Sequence, residues 1–213
     1  MDIYDIQNTK QYKELIMRYN AALNSALNTI DTLLKEREFY TGENIVDHIK
    51  SRIKSFDSAT TKLIKRDYEV NCENIEKHVH DLAGIRIICP FLSDVYKVVR
   101  MIKKNDMMTI IEEKDYITHP KDSGYTSYHL LIKIPVSFLN HTKDVEVEIQ
   151  IRTLAMDFWA SLDHQIRYKF EKEVPTEINN EIKTIAKDMT RLDAKMLKLN
   201  NLMKDYKEEQ DKY

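Results

Sequence analysis

Apolar residues recur in steps of four and three from Tyr12 through Ile16, Tyr19, Leu23, Ala26, Ile30 and Leu33, the period of an amphipathic helix reaching about Tyr40. A second, more regular run holds the same step through Ile178, Ile182, Ile185, Met189, Leu192, Met196, Leu199, Met203 and Tyr206, after a start at Pro175 and Thr176. A seam that regular needs a partner, which is either the N-terminal helix of the same chain or another subunit.

Between these helices the period drops to two. Residues 83–89, 107–112, 128–134 and 145–151 are short and β-branched, Pro90 and Pro135 close two of them, and they predict strands. Residues 44–54 predict a further strand, followed by a helix that opens near Asp57 or Ser58. Residues 93–104 predict a helix capped by Ser93, and residues 153–168 another capped by Thr153. This order gives an α+β domain: a mixed β-sheet of about five strands flanked by helices, with long helices from both termini. A length of 213 residues fits one such domain.

Composition narrows the chemistry. The 33 Lys and Arg against 35 Asp and Glu leave a net charge of −2, which argues against a non-specific nucleic-acid coat. Glycine occurs only at Gly42, Gly84 and Gly124, so neither a G-x-G-x-x-G fingerprint nor a P-loop can be written, and any nucleotide must be bound another way. Cys72 and Cys89 form no C-x-x-C pair and suit a reducing cytosol. The acidic first residues do not resemble a signal peptide, and no apolar run reaches the ~18 residues of a membrane span, so a cytoplasmic protein without membrane association is expected.

Four clusters could carry chemistry. Strand alternation puts Val145, Val147, Ile149 and Ile151 on one face and Glu146, Glu148, Gln150 and Arg152 on the other, either a solvated face or one side of a polar cleft. Lys50, Arg52, Lys54, Lys62, Lys65 and Arg66 make a cationic patch, with Ser58 at the opening of a helix whose N–H groups could meet phosphate. His80-Asp81 precedes a strand; the doublet suggests a metal-dependent hydrolase, but Asp81 facing Glu148 better suits one carboxylate of a Mg²⁺ site. Residues 114–129 form a loop rich in aromatic and cationic groups, where Tyr125 could stack on a base while Lys121 and His129 meet phosphates. On the helix after the last strand, Met156, Phe158 and Trp159 are expected in the core. Asp157 in its first turn could accept the N1 and N2 hydrogens of guanine.

Taken together, Arg52-Ile53-Lys54 with Ser58, Asp81-Leu82-Ala83-Gly84-Ile85-Arg86, the segment from Asp115-Tyr116-Ile117 to His129, and the segment from Val147-Glu148 to Trp159 resemble the synthetase domain of the RelA/SpoT family. The resemblance is closest to the small alarmone synthetases, which lack hydrolase and regulatory domains, and covers nearly the whole chain. It implies a single nucleotidyltransferase-like synthetase domain over residues 1–213, with the helix of residues 175–213 in oligomerisation, as a homotetramer. The implied activity transfers the β,γ-pyrophosphate of ATP to the ribose 3′-hydroxyl of GDP or GTP, with GMP a further acceptor, yielding AMP and (p)ppGpp with Mg²⁺. By resemblance, Arg52 and Arg86 flank the adenine, Lys54 and Ser58 hold the ATP phosphates, and Asp81 and Glu148 coordinate Mg²⁺. Glu148 is also the candidate base. Tyr125 stacks on guanine, and Lys121, His129 and Gln150 position the acceptor.

Two positions depart from the family. Lys114 stands where relatives often have Arg, keeping charge but losing bidentate phosphate binding, and Asp157 stands where some have Asn. Gly84 and Gly124 are expected to mark a close approach of backbone to nucleotide or a turn needing φ > 0, with alanine at 124 harming acceptor binding more than folding. Two other classes remain open on the residues alone: a non-catalytic guanine-nucleotide or RNA sensor, and an HD hydrolase using His80.

Overall fold

In the computed structural model, which describes residues 3–168 and 174–210, helices and strands follow the order α1 (Ile3–Asn8), α2 (Lys10–Thr41), β1 (His48–Ile53), α3 (Phe56–Ile64), α4 (Cys72–His78), β2 (Ala83–Cys89), α5 (Leu92–Lys103), β3 (Thr109–Asp115), β4 (Tyr128–Ser137), β5 (Thr142–Thr153), α6 (Leu154–Tyr168) and α7 (Thr176–Gln210). The strands make one mixed sheet in the order β1-β2-β5-β4-β3, parallel only between β2 and β5. The α+β class and the five strands agree with the sequence pattern. The short helices α1 and α4 are additions, too brief to show a period.

One sheet face is apolar and closed. Val145, Val147, Ile149 and Ile151 of β5 are buried with Ile85 and Ile87 of β2 and Leu130, Ile132 and Ile134 of β4. The stripe Leu15, Tyr19, Ala22, Leu23, Ala26 and Ile30 of α2, and Val95, Val98, Val99 and Ile102 of α5, complete this core. Each fully buried aliphatic side chain contributes about 1.5–3 kcal/mol, so this face holds the sheet to its helices. Helix α2 is bounded by side-chain chemistry: Thr9 accepts the Tyr12 N–H at 3.2 Å, and Gly42 at φ 65° donates its N–H to the Glu38 carbonyl at 2.8 Å.

Several boundaries differ from expectation. Helix α3 opens at Phe56 with Ser55 as its cap, so Ser58 lies inside the helix; its N–H donates to Ser55 Oγ at 3.3 Å instead of waiting for phosphate. Helix α5 opens at Leu92 after Phe91, which offers no capping side chain, so Ser93 is not the cap. Pro135 lies within β4 rather than ending it. Strand β3 stops opposite Lys133, so β4 has no neighbour on that side at Pro135, where a missing N–H is tolerated. Thr153 does cap α6, accepting the Met156 N–H at 3.1 Å.

Helix α7 uses its seam in two parts. Ile182 and Ala186 are buried on α6 around Trp159, whose Nε1 donates to the Ile182 carbonyl at 3.2 Å, with Ile178 and Met189 half-buried beside them. Further along, Leu192, Met196, Leu199, Met203 and Tyr206 are exposed. Within the chain α7 packs on α6 and α5, and Lys204 reaches Glu43 just beyond α2. Gly124, at φ 90°, abuts this helix: a Cβ there would stand 2.6 Å from Ala186 Cβ. The demand on Gly124 is therefore steric and conformational, and alanine would strain the fold, contrary to the expectation that it would chiefly harm ligand binding. Gly84 has no positive φ and faces open space.

Asp193 is buried on α7 and accepts a hydrogen bond from Thr153 Oγ1 at 2.6 Å. Burial pushes its carboxyl above the ordinary range, and the Thr153 hydroxyl only partly offsets this. The folded state thus holds the neutral acid more readily than the unfolded chain does. Ionising it costs stability, a cost absent below the ordinary carboxyl range and complete once pH has risen past the raised value. Asp193→Asn, which keeps an acceptor for Thr153, is expected to raise the thermal midpoint near neutral pH and to leave it unchanged near pH 3. Melting curves across that range check this, and an equal effect at both pH values would contradict it.

Candidate active site

The second sheet face is polar, and cross-strand pairing assembles it row by row. Arg52 lies opposite Gly84, Gly84 beside Glu148, and Glu148 opposite Leu131, while Lys50, Arg86, Gln150, His129 and Lys114 form the next row across all five strands. Strand β3 joins this face only because its register shifts between Ile110 and Glu112, which returns Glu112 and Lys114 to the polar side.

Two cavities adjoin on this face. One of about 350 Å³ is lined by Lys50, Arg52, Asp81, Gly84, Arg86, Glu148 and Gln150. The other, of about 200 Å³, is lined by Glu112, Lys114, Tyr116, Lys121, His129 and Glu148. Glu148 belongs to both walls. A wider groove of about 570 Å³ runs on past Arg52, Arg86, Tyr125 and Arg152 to α6.

In the first cavity, Lys54 Nζ and Lys62 Nζ each donate to one Asp81 oxygen at 2.7 Å. Burial alone would raise that carboxyl; the two lysines outweigh it and hold it at about 2. Burial likewise pulls Glu148 up, and the His129 and Gln150 hydrogen bonds bring it below the ordinary range although Asp81 pushes the other way. Both carboxylates are therefore ionised at neutral pH and close enough to repel. Two carboxylates fronting one water-accessible cavity are a donor set that Mg²⁺ takes, leaving its other positions to water and phosphate. Arg86 also lines this cavity, and its Nε is buried without a hydrogen-bond partner.

In the second cavity, Lys121 Nζ sits 4.6 Å over the Tyr116 ring and 5.1 Å from that of Tyr125. His129 Nδ1 is 3.3 Å from Glu148 Oε1, and its Nε2 is 2.8 Å from the Tyr125 hydroxyl. Lys114 pairs with Glu112 at 2.8 Å.

The structure thus brings together Arg52, Lys54, Asp81, Arg86, Lys114, Lys121, Tyr125, His129, Glu148 and Gln150. Ser58 does not line either cavity; its hydroxyl accepts from Ser55 Oγ at 2.8 Å, one turn before Lys62. Asp157 is buried among cations rather than free to accept from a base: Oδ1 takes hydrogen bonds from Arg86 at 3.2 Å and Arg152 at 3.1 Å, and Oδ2 faces Lys50 at 3.8 Å. Phe158, expected in the core, is exposed, whereas Met156 and Trp159 are buried. His80 turns to Glu146 at 2.7 Å, away from Asp81, and among the described residues no group of three or more His, Cys, Asp or Glu could hold the metal of an HD site. Lys62, Tyr116 and Arg152 carry site contacts that no role was assigned to from sequence. Lys62 stood within the cationic patch and Arg152 within the polar alternation, which were the available signals.

Residues 51–173 match the family described as the region found in RelA / SpoT proteins. The chain is 42% identical over 188 residues to the GTP pyrophosphokinase YwaC of Bacillus subtilis, covering 88% of this chain and 90% of that protein. Small alarmone synthetase 1 of B. subtilis bound to its product pppGpp superposes with a TM-score of 0.82 at 30% identity, covering 91% of this chain and 98% of that one. The same enzyme bound to AMPCPP superposes at 0.75 and 26% identity, covering 92% and 99%.

The Asp157 cluster has a consequence for stability. Asp157→Ala would leave the buried Arg152 guanidinium without its counter-charge, and breaking a buried pair from one side costs about 3–5 kcal/mol. Urea denaturation is expected to show a loss of that size, whereas a change under about 1 kcal/mol would mean the pair is effectively solvated.

Proposed function

The chain belongs to the RelA/SpoT family, as a small alarmone synthetase, and on that premise we propose that it transfers the β,γ-diphosphate of ATP to the ribose 3′-hydroxyl of GDP or GTP. The observation that carries this proposal is Glu148, the one carboxylate on the wall shared by both cavities. A donor nucleotide in the first cavity and an acceptor in the second would meet at that side chain.

The donor cavity suits ATP. Arg52 and Arg86 offer guanidinium planes for an adenine. Lys54 and Lys62 are already gathered at Asp81, where a triphosphate would bring its charge. Asp81 and Glu148 would hold Mg²⁺, which supplies charge neutralisation at the transferring phosphates. In the acceptor cavity Lys121 and Lys114 would face the acceptor's phosphates and Tyr116 offers a ring against guanine, with the Tyr125 ring beside it at the start of the wider groove. The 3′-oxygen attacks the β-phosphorus, the bond from that phosphorus to the α-phosphate oxygen breaks, AMP leaves, and the 3′-hydroxyl proton passes to Glu148. Glu148 is suited to receive it because His129 and Gln150 keep it ionised at rest. GMP, GDP and GTP are all admitted by this arrangement.

Incubation with ATP, GDP or GTP and Mg²⁺ is expected to yield AMP and a 3′-pyrophosphorylated guanosine nucleotide on anion-exchange chromatography, and chelation of the metal to stop it. Binding without any AMP would favour a sensor instead. Glu148→Gln should lower kcat by at least about 10²-fold while leaving binding of an ATP analogue largely intact; retained turnover would remove Glu148 as base.

Cys72 and Cys89 are free thiols and no helix among the described residues is long and apolar enough to cross a membrane, which agrees with a cytoplasmic enzyme. The exposed half of the α7 seam, Leu192 to Tyr206, fits a subunit contact in a homotetramer. Leu199→Glu is expected to reduce the mass measured by light scattering without unfolding the chain, and an unchanged mass would place the contact elsewhere.

A further inference from the structure

Arg152 is the most deeply buried charged side chain on the polar sheet face, with 4% of its surface exposed, yet the chemistry proposed for the site assigns it no part. Its guanidinium is fully engaged. Nη2 donates to the Tyr125 hydroxyl at 2.7 Å and to Gln150 Oε1 at 2.8 Å, Nη1 donates to Asp157 Oδ1 at 3.1 Å, and Nε reaches Ser127 Oγ at 3.4 Å. Its carbon lies 5.2 Å over the Tyr125 ring. The two partners of Nη2 both lead to Glu148. Gln150 Nε2 donates to Glu148 Oε2 at 2.8 Å, while the Tyr125 hydroxyl meets His129 Nε2 at 2.8 Å and His129 Nδ1 meets Glu148 Oε1 at 3.3 Å. Arg152, Tyr125, His129, Glu148 and Gln150 thus close a ring of hydrogen bonds.

Donor and acceptor rules give that ring a direction. A guanidinium only donates, so the Tyr125 oxygen receives from Arg152 and its own hydrogen is free for His129 Nε2. His129 then carries its hydrogen on Nδ1, facing Glu148. On the other side, Arg152 takes the Gln150 carbonyl oxygen, which turns the amide NH₂ to Glu148. One buried fork thereby settles the rotamer of Tyr125, proposed to meet guanine, together with the face that His129 presents and the flip of Gln150, the two groups that hold Glu148.

We propose that Arg152 is the positioning residue of the acceptor subsite: it touches neither nucleotide but holds Tyr125 and Gln150 in the orientation that the guanine nucleotide requires. This rests on the synthetase activity proposed here and assigns a residue that supports it. Lysine at this place would keep a charge opposite Asp157, but a single ammonium cannot span Asp157, Tyr125, Gln150 and Ser127 as the planar fork does. Tyr125→Phe removes the Arg152–Tyr125 contact from the other end, together with the Tyr125–His129 hydrogen bond, without disturbing the buried ion pair.

The test is steady-state kinetics of the full chain with ATP and GDP varied independently. In Arg152→Lys and in Tyr125→Phe the KM for GDP is expected to rise about tenfold while that for ATP stays within about twofold. Because both changes remove one contact, the double variant should be no worse than the worse single one. Parallel rises in both KM values, an unchanged KM for GDP in Tyr125→Phe, or full additivity in the double variant would overturn the proposal. If Arg152→Lys does not fold, as judged by circular dichroism, an unchanged KM for GDP in Tyr125→Phe still overturns the proposal. Failure of the wild-type chain to form AMP would instead reject the proposed activity, so the two failures are told apart.

Discussion

Strand β5 solves two opposed problems at once. Its odd-numbered residues from Val145 to Ile151 must leave water and lie under α2 and α5, while Glu146, Glu148, Gln150 and Arg152 must keep their polar partners. Only a two-faced strand in the middle of a sheet does both, because its neighbours then supply apolar groups on one side and complementary charges on the other. A slip of one residue in its pairing with β2 or β4 would bury two carboxylates against leucine and isoleucine. The apolar face therefore enforces the register that places Gly84, Glu148 and Leu131 in one row and Arg86, Gln150 and His129 in the next.

The polar face is balanced internally before any ligand arrives. Asp81 is held by two lysines, Glu148 by His129 and Gln150, and Asp157 by two arginines. For Asp81 and Glu148 the pairing keeps a carboxylate ionised in a site that burial would otherwise neutralise. A face in which donors and acceptors already point at one another need reorganise little when an anionic nucleotide enters, which is the electrostatic advantage of a preorganised site. On the proposed function, cationic side chains such as Lys54 and Lys62 would meet the phosphates in place of the backbone N–H groups of a glycine-rich loop. Gly84 contributes by lacking a side chain where the first cavity needs room, and Gly124 by letting its loop turn against α7.

Much of this was legible from the residues. The helical periods of α2 and α7, the alternation of β5 and the Thr153 cap all appear as sequence patterns because each depends on neighbours within a few residues. Ser55 caps α3 although Asp57 and Ser58 offer equally good local signals in the sequence. Phe158 was expected inside because α6 has an apolar face, but that face is set by where α7 lies, and Phe158 points the other way.

The residue pattern alone determined the α+β class, the polar face of β5, the exclusion of familiar phosphate loops and most of the side chains that line the two cavities. These follow from periodicity and from residue chemistry, which are local. The tertiary structure decided what no local rule contains. The irregularity between Ile110 and Glu112 turned Lys114 to the polar face, the packing of α6 placed Asp157 between Arg86 and Arg152, and the pairing of β4 with β5, with Tyr125 just ahead of β4, closed a ring of hydrogen bonds through Glu148. Each depends on a partner distant in sequence, and which of several possible partners a charged side chain meets is settled only when the strands are in register.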